Sequence, residues 1–427
     1  MPAGPGVGVA SPNGGSLRLA AEHFGAAILY LLAGSVGLVW IAPELAMGTY
    51  ASPHVAGVTH LFTLGWLTTT IFGALCQLLP VALAAPLRST KLGHASFWTF
   101  APGAGLFACG VADSSTVLHH AGVGLVAVGV VLALVNVGSS LPRSRSRDVT
   151  WAAVCVALVF LATTLVLGVV LLHNIHTGFL ASARIRVLAI HLHVAIVGWA
   201  LLVIVGVSHR LLPMFLLAHG ADTRWTKRSL IALSTGVVLL GSGLAFERGE
   251  LMWAGAAALE VGIVCFVWQA VSFYRVRVRK QIDVGMQFAA TALVFLTTSA
   301  ILGPIVLARG AGHARLATAY VVVGLLGGVV LYVAGFFYKI VPLLAWTARY
   351  RGRMGKGRLP TVAELFSARV ARVQLVAMAA GVSLLGAGIG AGSTTITRTG
   401  AMLFAAGAGL FASQIARVAF GGMRQRS

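Results

Sequence analysis

Long apolar runs, each of about 20 residues or more, recur along the whole chain of 427 residues. A run of this length is stable in lipid only as a helix, because a helix satisfies its own backbone hydrogen bonds. Hydrophobic residues make up 58% of the chain and charged residues 10%, which leaves too few charges for the surface of a water-soluble fold. The sequence therefore predicts an all-α, polytopic membrane protein with about twelve transmembrane helices. We expect them near residues 18–44, 56–83, 92–112, 116–139, 149–172, 185–213, 226–246, 250–275, 283–308, 315–346, 367–392 and 396–420.

The net charge of +21 is distributed in a way that predicts topology. Lys and Arg concentrate in the loops after even-numbered predicted helices, as in Arg143, Arg145 and Arg147, and are sparser after odd-numbered ones. The positive-inside rule then predicts that both termini are cytoplasmic and that the protein lies in the inner (cytoplasmic) membrane. This pattern favours the lipid bilayer as partner and does not favour nucleic acid.

The domain organisation predicted from composition is simple. The N-terminal segment is rich in Gly, Pro and Ser, which indicates a disordered cytoplasmic tail at 1–17. A single transmembrane domain is expected at 18–420, with a second short tail at 421–427. The four cysteines lie within predicted helices and form no CxxCH motif, so they are interpreted as packing residues.

An internal repeat links the second and sixth predicted helices at the fixed sequence offset that separates His60 from His193. A histidine, a Gly-Trp pair, a glycine and a Leu-Leu-Pro triplet recur in register, beginning at those two histidines. The tenth helix carries a fainter copy at a further offset of 129, through Gly327, Gly335 and Pro342, without the His or the Trp. The repeat predicts three pseudo-symmetric four-helix arcs around an axis along the membrane normal. Their expected ranges are 18–139, 149–275 and 283–420.

Seven of the thirteen histidines fall at helix ends that the predicted topology places toward the outer leaflet. Neutral imidazole is a common ligand of haem iron, copper and zinc, so a layer of histidines at one depth is typical of a cofactor site. His60 and His193 are the strongest candidates for haem axial ligands, since the repeat makes them equivalent. His191 lies about 200° around the helix from His193, so both cannot easily serve one metal, and one of the pair is expected to face a second site or a propionate.

The remaining members of this layer are secondary haem or metal candidates. His173 and His176 are three positions apart on one helix face, which suits a shared metal or a cap at the membrane surface. The alternative for each is a helix-end residue bonded to water, backbone or lipid headgroup. Glu260, near the middle of the eighth helix, is a candidate for a proton path or for a protonated carboxyl that joins two helices. The secondary candidates are His119, His120, His173 and His176.

The chain resembles subunit I of the haem-copper oxidase superfamily, and the segments from His60 to Pro80 and from His191 to Pro213 carry the resemblance. It is similar in particular to divergent relatives such as the NnrS family of nitric-oxide-response membrane haemoproteins. The resemblance implies a low-spin haem ligand at His60, a copper ligand at His191 or His193, a b-type haem and optional copper. It also implies a redox partner subunit or cytochrome c. Arg184 and Arg186, just before the sixth helix, would be propionate partners or interfacial anchors.

The chain departs from that family at the catalytic centre. The family has further histidines around its seventh and tenth helices, whereas residues 226–246 and 315–346 contain none here. The sixth helix also lacks a Tyr near His191 and His193. We therefore expect electron transfer or small diatomic gas (NO or O2) chemistry rather than complete oxygen reduction. The alternatives are a cofactor-free transporter or structural subunit on the same scaffold, or a membrane subunit of a larger redox complex in which a partner supplies c-type haem or copper.

Overall fold

The computed structural model describes residues 14–218, 222–310, 312–353 and 358–421. Within these ranges the chain contains no β-strand, and twelve helices are long and apolar enough to cross a membrane. The predicted all-α polytopic fold is confirmed. The helices are α1 Leu17–Trp40, α2 Pro53–Val81, α3 Thr90–Ala112, α4 Thr116–Arg143, α5 Val149–Thr177, α6 Ala181–Leu216, α7 Arg224–Phe246, α8 Gly249–Arg275, α9 Val284–Arg309, α10 Ala314–Arg353, α11 Ala368–Ala391 and α12 Thr394–Phe420.

The helix boundaries differ from the predicted ones by a few residues. Helical structure already begins at Gly14, ahead of the membrane-spanning part of α1 at Leu17, so the last part of the predicted tail 1–17 is helical. Residues 1–13 of that tail and 422–427 of the C-terminal one lie outside the described residues. The predicted helix 18–44 is broken at Ile41, and a separate short helix, Ala42–Met47, follows. Pro43 explains the break, because its ring cannot continue a helix from the preceding turn.

Three helices contain an eight-residue π-helical segment, at Leu61–Thr68, Val194–Leu201 and Val323–Val330. The offsets between these segments are the same as those of the repeat found in the sequence, because each segment begins at the same position of its copy. The third copy, which keeps neither His nor Trp, therefore has the same backbone irregularity at the same place. π-Helical turns are rare and are frequently found at functional sites, so the residues just before these segments are candidates for a site.

Three antiparallel helix pairs, α3 with α4, α7 with α8 and α11 with α12, pack closely through glycines. A Cβ added at any of these glycines would lie 2.3–2.8 Å from atoms of the partner helix, so only glycine fits. The four glycines of each pair keep the same spacing from one pair to the next. They are Gly103, Gly110, Gly122 and Gly129; Gly236, Gly243, Gly255 and Gly262; and Gly381, Gly388, Gly400 and Gly407.

A side-chain amide in the second helix of each pair holds the start of the first helix. Asn136 accepts a hydrogen bond from the backbone N–H of Ser89 (3.0 Å) and donates one to its carbonyl (2.9 Å). Gln269 and Gln414 stand at the equivalent positions relative to the glycines and bond to the backbone of Asp222 and Ser367. The same local structure thus recurs three times, while the arrangement as three arcs around one axis stays a prediction.

The helices α2, α6 and α10 meet at the centre, where their π-helical segments contact one another in pairs. The fully buried indole of Trp66 stacks on Phe337 of α10, with ring centroids 4.8 Å apart. The indole N–H of Trp199 in α6 donates to the hydroxyl of Thr68 in α2 (3.2 Å). These three inner helices form a tightly packed centre that fixes the side chains at their starts.

Candidate functional site

His60 and His193 directly precede the π-helical segments of α2 and α6. Nδ1 of His60 lies 2.7 Å from the carbonyl oxygen of Ala56, and Nδ1 of His193 lies 2.8 Å from that of Ala189. Because a carbonyl can only accept, Nδ1 carries the proton in both rings and Nε2 offers a lone pair. A ring held through its other nitrogen in this way is the usual state of a metal-ligating histidine.

The two equivalent histidines have different neighbours. The ring of His60 meets Phe107 of α3 edge-on, with centroids 4.9 Å apart. Nε2 of His193 accepts a hydrogen bond from the hydroxyl of Tyr320 in α10, over 3.3 Å. His60 therefore faces the side of α2 that is bounded by α3, and His193 faces the contact between α6 and α10.

His191 lies on the side of α6 that faces α5. Its Cε1 would be 3.4 Å from a Cβ added at Gly168, and His60 is near enough for a charge on one ring to act on the other. The backbone of Thr164 in α5 also interacts with the ring, but the buried Nδ1 atom has no hydrogen-bond partner among the described residues. A buried ring nitrogen left without a partner is costly, so this atom marks a place where a ligand would be stabilised. The different surroundings of His191 and His193 agree with their predicted separation around the helix.

Tyr320, which lies beside His193, occupies the position in the third copy that corresponds to His191 in the second. With the offset of the third copy, Tyr320 corresponds to His191, and Val322 corresponds to His193. In the first copy the same two positions are Val58 and His60. Tyr320 was missed at the sequence level because the third copy lacks the histidine that made the others visible, although the glycine register would have identified it.

Glu260 of α8 belongs to the same region as Tyr320. A Cβ added at Gly303 of α9 would lie 3.7 Å from a carboxylate oxygen of Glu260 and 3.6 Å from the ring of Tyr320. His193, Tyr320 and Glu260 therefore come from three different helices to one polar group within the membrane-spanning region. The structure places Glu260 near the phenol of Tyr320, whose hydroxyl bonds in turn to His193, and both the phenol and the imidazole can exchange protons.

A second histidine group lies where α4 begins and α5 ends. His119, His120 and His176 each bring a ring nitrogen within 4.8 Å of the other two. The Nε2 atoms of His119 and His176 are 2.9 Å apart. His173 is not part of this group, since its ring packs against Phe179, with centroids 5.4 Å apart. The predicted pairing of His173 with His176 is thus replaced by one between helices.

The two arginines predicted as propionate partners lie at the start of α6. Arg186 forms an ion pair with Glu247, with an N–O distance of 2.7 Å, and Glu247 is the exposed residue that directly follows α7. Arg184 donates to the carbonyl oxygen of Ala51, over 3.4 Å. Both side chains thus carry positive charge near the ends of α2 and α6 at which His60, His191 and His193 lie.

Fold and side chains together define a multi-pass, all-α membrane protein with histidines grouped at one end of its inner helices. No family model matches the chain, and no curated protein matches it in sequence.

Proposed function

We propose that this protein is a membrane haem protein in which His60 and His191 hold a haem, and that it acts in electron transfer or in the chemistry of a small diatomic gas such as NO or O2. One observation carries the proposal: a buried nitrogen of His191 in α6 has no partner among the described residues. The inner helix α2 contacts α6, and the carbonyl of Ala56 holds its His60 so that Nε2 offers a lone pair. Two imidazoles from facing helices are a common axial ligand set for haem iron.

The residues present fit a b-type haem. Two neutral imidazoles supply the donor set, and the absence of a CxxCH motif from the sequence agrees with a non-covalently bound group. When bound, haem supplies a reversible one-electron couple or a binding position for a gas. The carbonyl of Ala56 fixes the ring of His60, and Gly168 leaves room beside His191. Arg184, and Arg186 in addition to its ion pair with Glu247, would balance the charge of the propionates.

The group formed by His193, Tyr320 and Glu260 serves this function as a place where protons are held, or as a position for copper. The hydroxyl of Tyr320 donates to His193, and Glu260 and the phenol ring both border Gly303 of α9. Imidazole is also a suitable copper ligand. This group offers one histidine and one tyrosine, whereas His60 and His191 offer two imidazoles. It is therefore suited to holding a proton or copper and not to axial ligation of haem.

The loop charges support a location in the inner membrane with both termini cytoplasmic. In that orientation the histidines lie toward the outside, where a redox partner subunit or a cytochrome c would exchange electrons with the haem. Labelling of single cysteines introduced after α6 and after α9, with a reagent that does not cross the membrane, tests this orientation. The expected result is labelling after α9 alone in intact cells.

The haem itself is tested by the absorption spectrum and pyridine haemochrome of detergent-purified protein. We expect a Soret band in the wild-type protein, and His60→Ala and His191→Ala should each lose most of the haem. His313→Ala, at an exposed turn, is the matched control. A wild-type protein without a Soret band would contradict the proposal and favour a cofactor-free transporter or structural subunit. Loss of haem in His193→Ala but not in His191→Ala would show that His193 is the second ligand.

A further inference from the structure

We infer that His119, His120 and His176 form a binding site for a divalent late transition metal, with Zn²⁺ as the ion that fits best. The site is separate from the haem proposed above and joins the start of α4 to the end of α5. His119 is buried, with 2% of its surface exposed, whereas His120 and His176 are exposed. One ring thus anchors the group in the protein, and two rings face the surroundings.

The three rings crowd together without a counter-charge. Their centroids are 4.6–4.9 Å apart, and no carboxylate or thiolate of the described residues joins the group. Neutral imidazoles can share only one N–H···N bond per pair, and protonated ones would repel each other. A cation bound between the rings would interact favourably with one lone pair from each of the three imidazoles.

The orientation of His120 supports this inference. Its Nδ1–H donates to the carbonyl oxygen of Thr116 (2.7 Å), which leaves Nε2 as the available donor atom. The Nε2 atoms of His119 and His176 already face each other across 2.9 Å. Zn–N bonds of about 2.0–2.1 Å at tetrahedral angles place ligand nitrogens roughly 3.4 Å apart, so the two rings would separate by a few tenths of an ångström.

The donor set identifies the class of metal. Three imidazole nitrogens suit Zn²⁺, Cu²⁺ or Ni²⁺, whereas Mg²⁺ and Ca²⁺ require oxygen ligands. Three protein ligands with two of the rings exposed also leave a fourth position open to water or to an external ligand. Because α4 belongs to the first copy of the repeat and α5 to the second, bound metal would hold the two copies together at this end.

The experiment is a Zn²⁺ titration of purified, chelator-treated, full-length protein without a histidine tag, with metal counted after gel filtration. We expect one Zn²⁺ per chain in this site, and His120→Ala and His176→Ala should each weaken binding roughly 10–100-fold. His173→Ala is the matched control, since His173 is exposed on the same helix but lies outside the group.

Zn²⁺ should also raise the thermal midpoint of the wild-type and His173→Ala proteins, but not that of the two other variants. No stoichiometric Zn²⁺, or equal binding by His173→Ala and His176→Ala with no loss in either, would overturn the inference. A normal Soret band in His176→Ala would show that loss of zinc and loss of haem are separate events.

Discussion

Two residues of α6 that are separated by one position have different roles because the helix turns by about 100° per residue. His193 is fully bonded, through Ala189 on one side and Tyr320 on the other. His191 faces α5 instead and keeps a buried nitrogen without a partner among the described residues. The two rings therefore differ in what they lack. Only His191 would gain a missing interaction from a ligand.

Replacing His191 by Leu should change stability in opposite directions with and without haem. In haem-free protein, His191→Leu removes an unpartnered buried nitrogen and should stabilise the fold by about 1–3 kcal/mol. In protein purified with haem, the same change removes a ligand and should lower the thermal midpoint. The measurement is thermal unfolding of both forms in detergent, with His313→Leu as the exposed control. A destabilised haem-free variant would contradict the argument.

At the scale of the helices, close packing depends on where a Cβ is excluded. Gly122 of α4 lies against the backbone of Phe107, and an added Cβ would be 2.3 Å from its nitrogen. Gly124, two positions further along the same helix, has no atom within 4 Å of that added Cβ. Because a membrane offers little hydrophobic gain between helices, such close approach is a main source of helix association.

Gly122→Ala should therefore destabilise the protein, whereas Gly124→Ala should not. Overpacking at Gly122 forces α3 and α4 apart, at a cost of about 1–3 kcal/mol. Gly124→Ala should be neutral or stabilising by up to about 1 kcal/mol, because Ala has the higher helix propensity. Unfolding midpoints of both variants in the same detergent give the comparison. Equal effects would mean that the contact between α3 and α4 does not govern stability.

At the scale of the whole molecule, the number of helices follows from the sequence because lipid permits few alternatives to a helix. The π-helical segments could not be predicted, since their hydrogen bonds depend on packing among α2, α6 and α10. The partners of the histidines were predicted only in part. Spacing along one helix suggested His173 with His176, but His176 packs with His119 from another helix. Tyr320 was missed because the third copy lacks the histidine of the other two, so that only the glycine register relates Tyr320 to His191.

The three-fold repeat can be tested by building a second histidine pair between α6 and α10, equivalent to the pair that His60 and His191 form between α2 and α6. Tyr320 corresponds to His191 in the repeat. Tyr320→His would therefore place an imidazole opposite His193 in the same way that His191 is placed relative to His60. If the copies are equivalent and the first pair binds haem, this variant should roughly double the haem per chain in the pyridine haemochrome assay.

The matched control for that variant is Val322→His, which adds a histidine to the same helix at the position equivalent to His193. On the same pattern, the position that would pair with residue 322 is Val58 of α2, which is not a histidine. No second imidazole is available there, so the haem content should stay unchanged. The contrary outcome is equal haem in Tyr320→His and wild type, with both proteins folded. The glycines and π-helical segments would then recur without the same geometry between the inner helices. A gain in both variants would point to binding by single histidines instead of pairs.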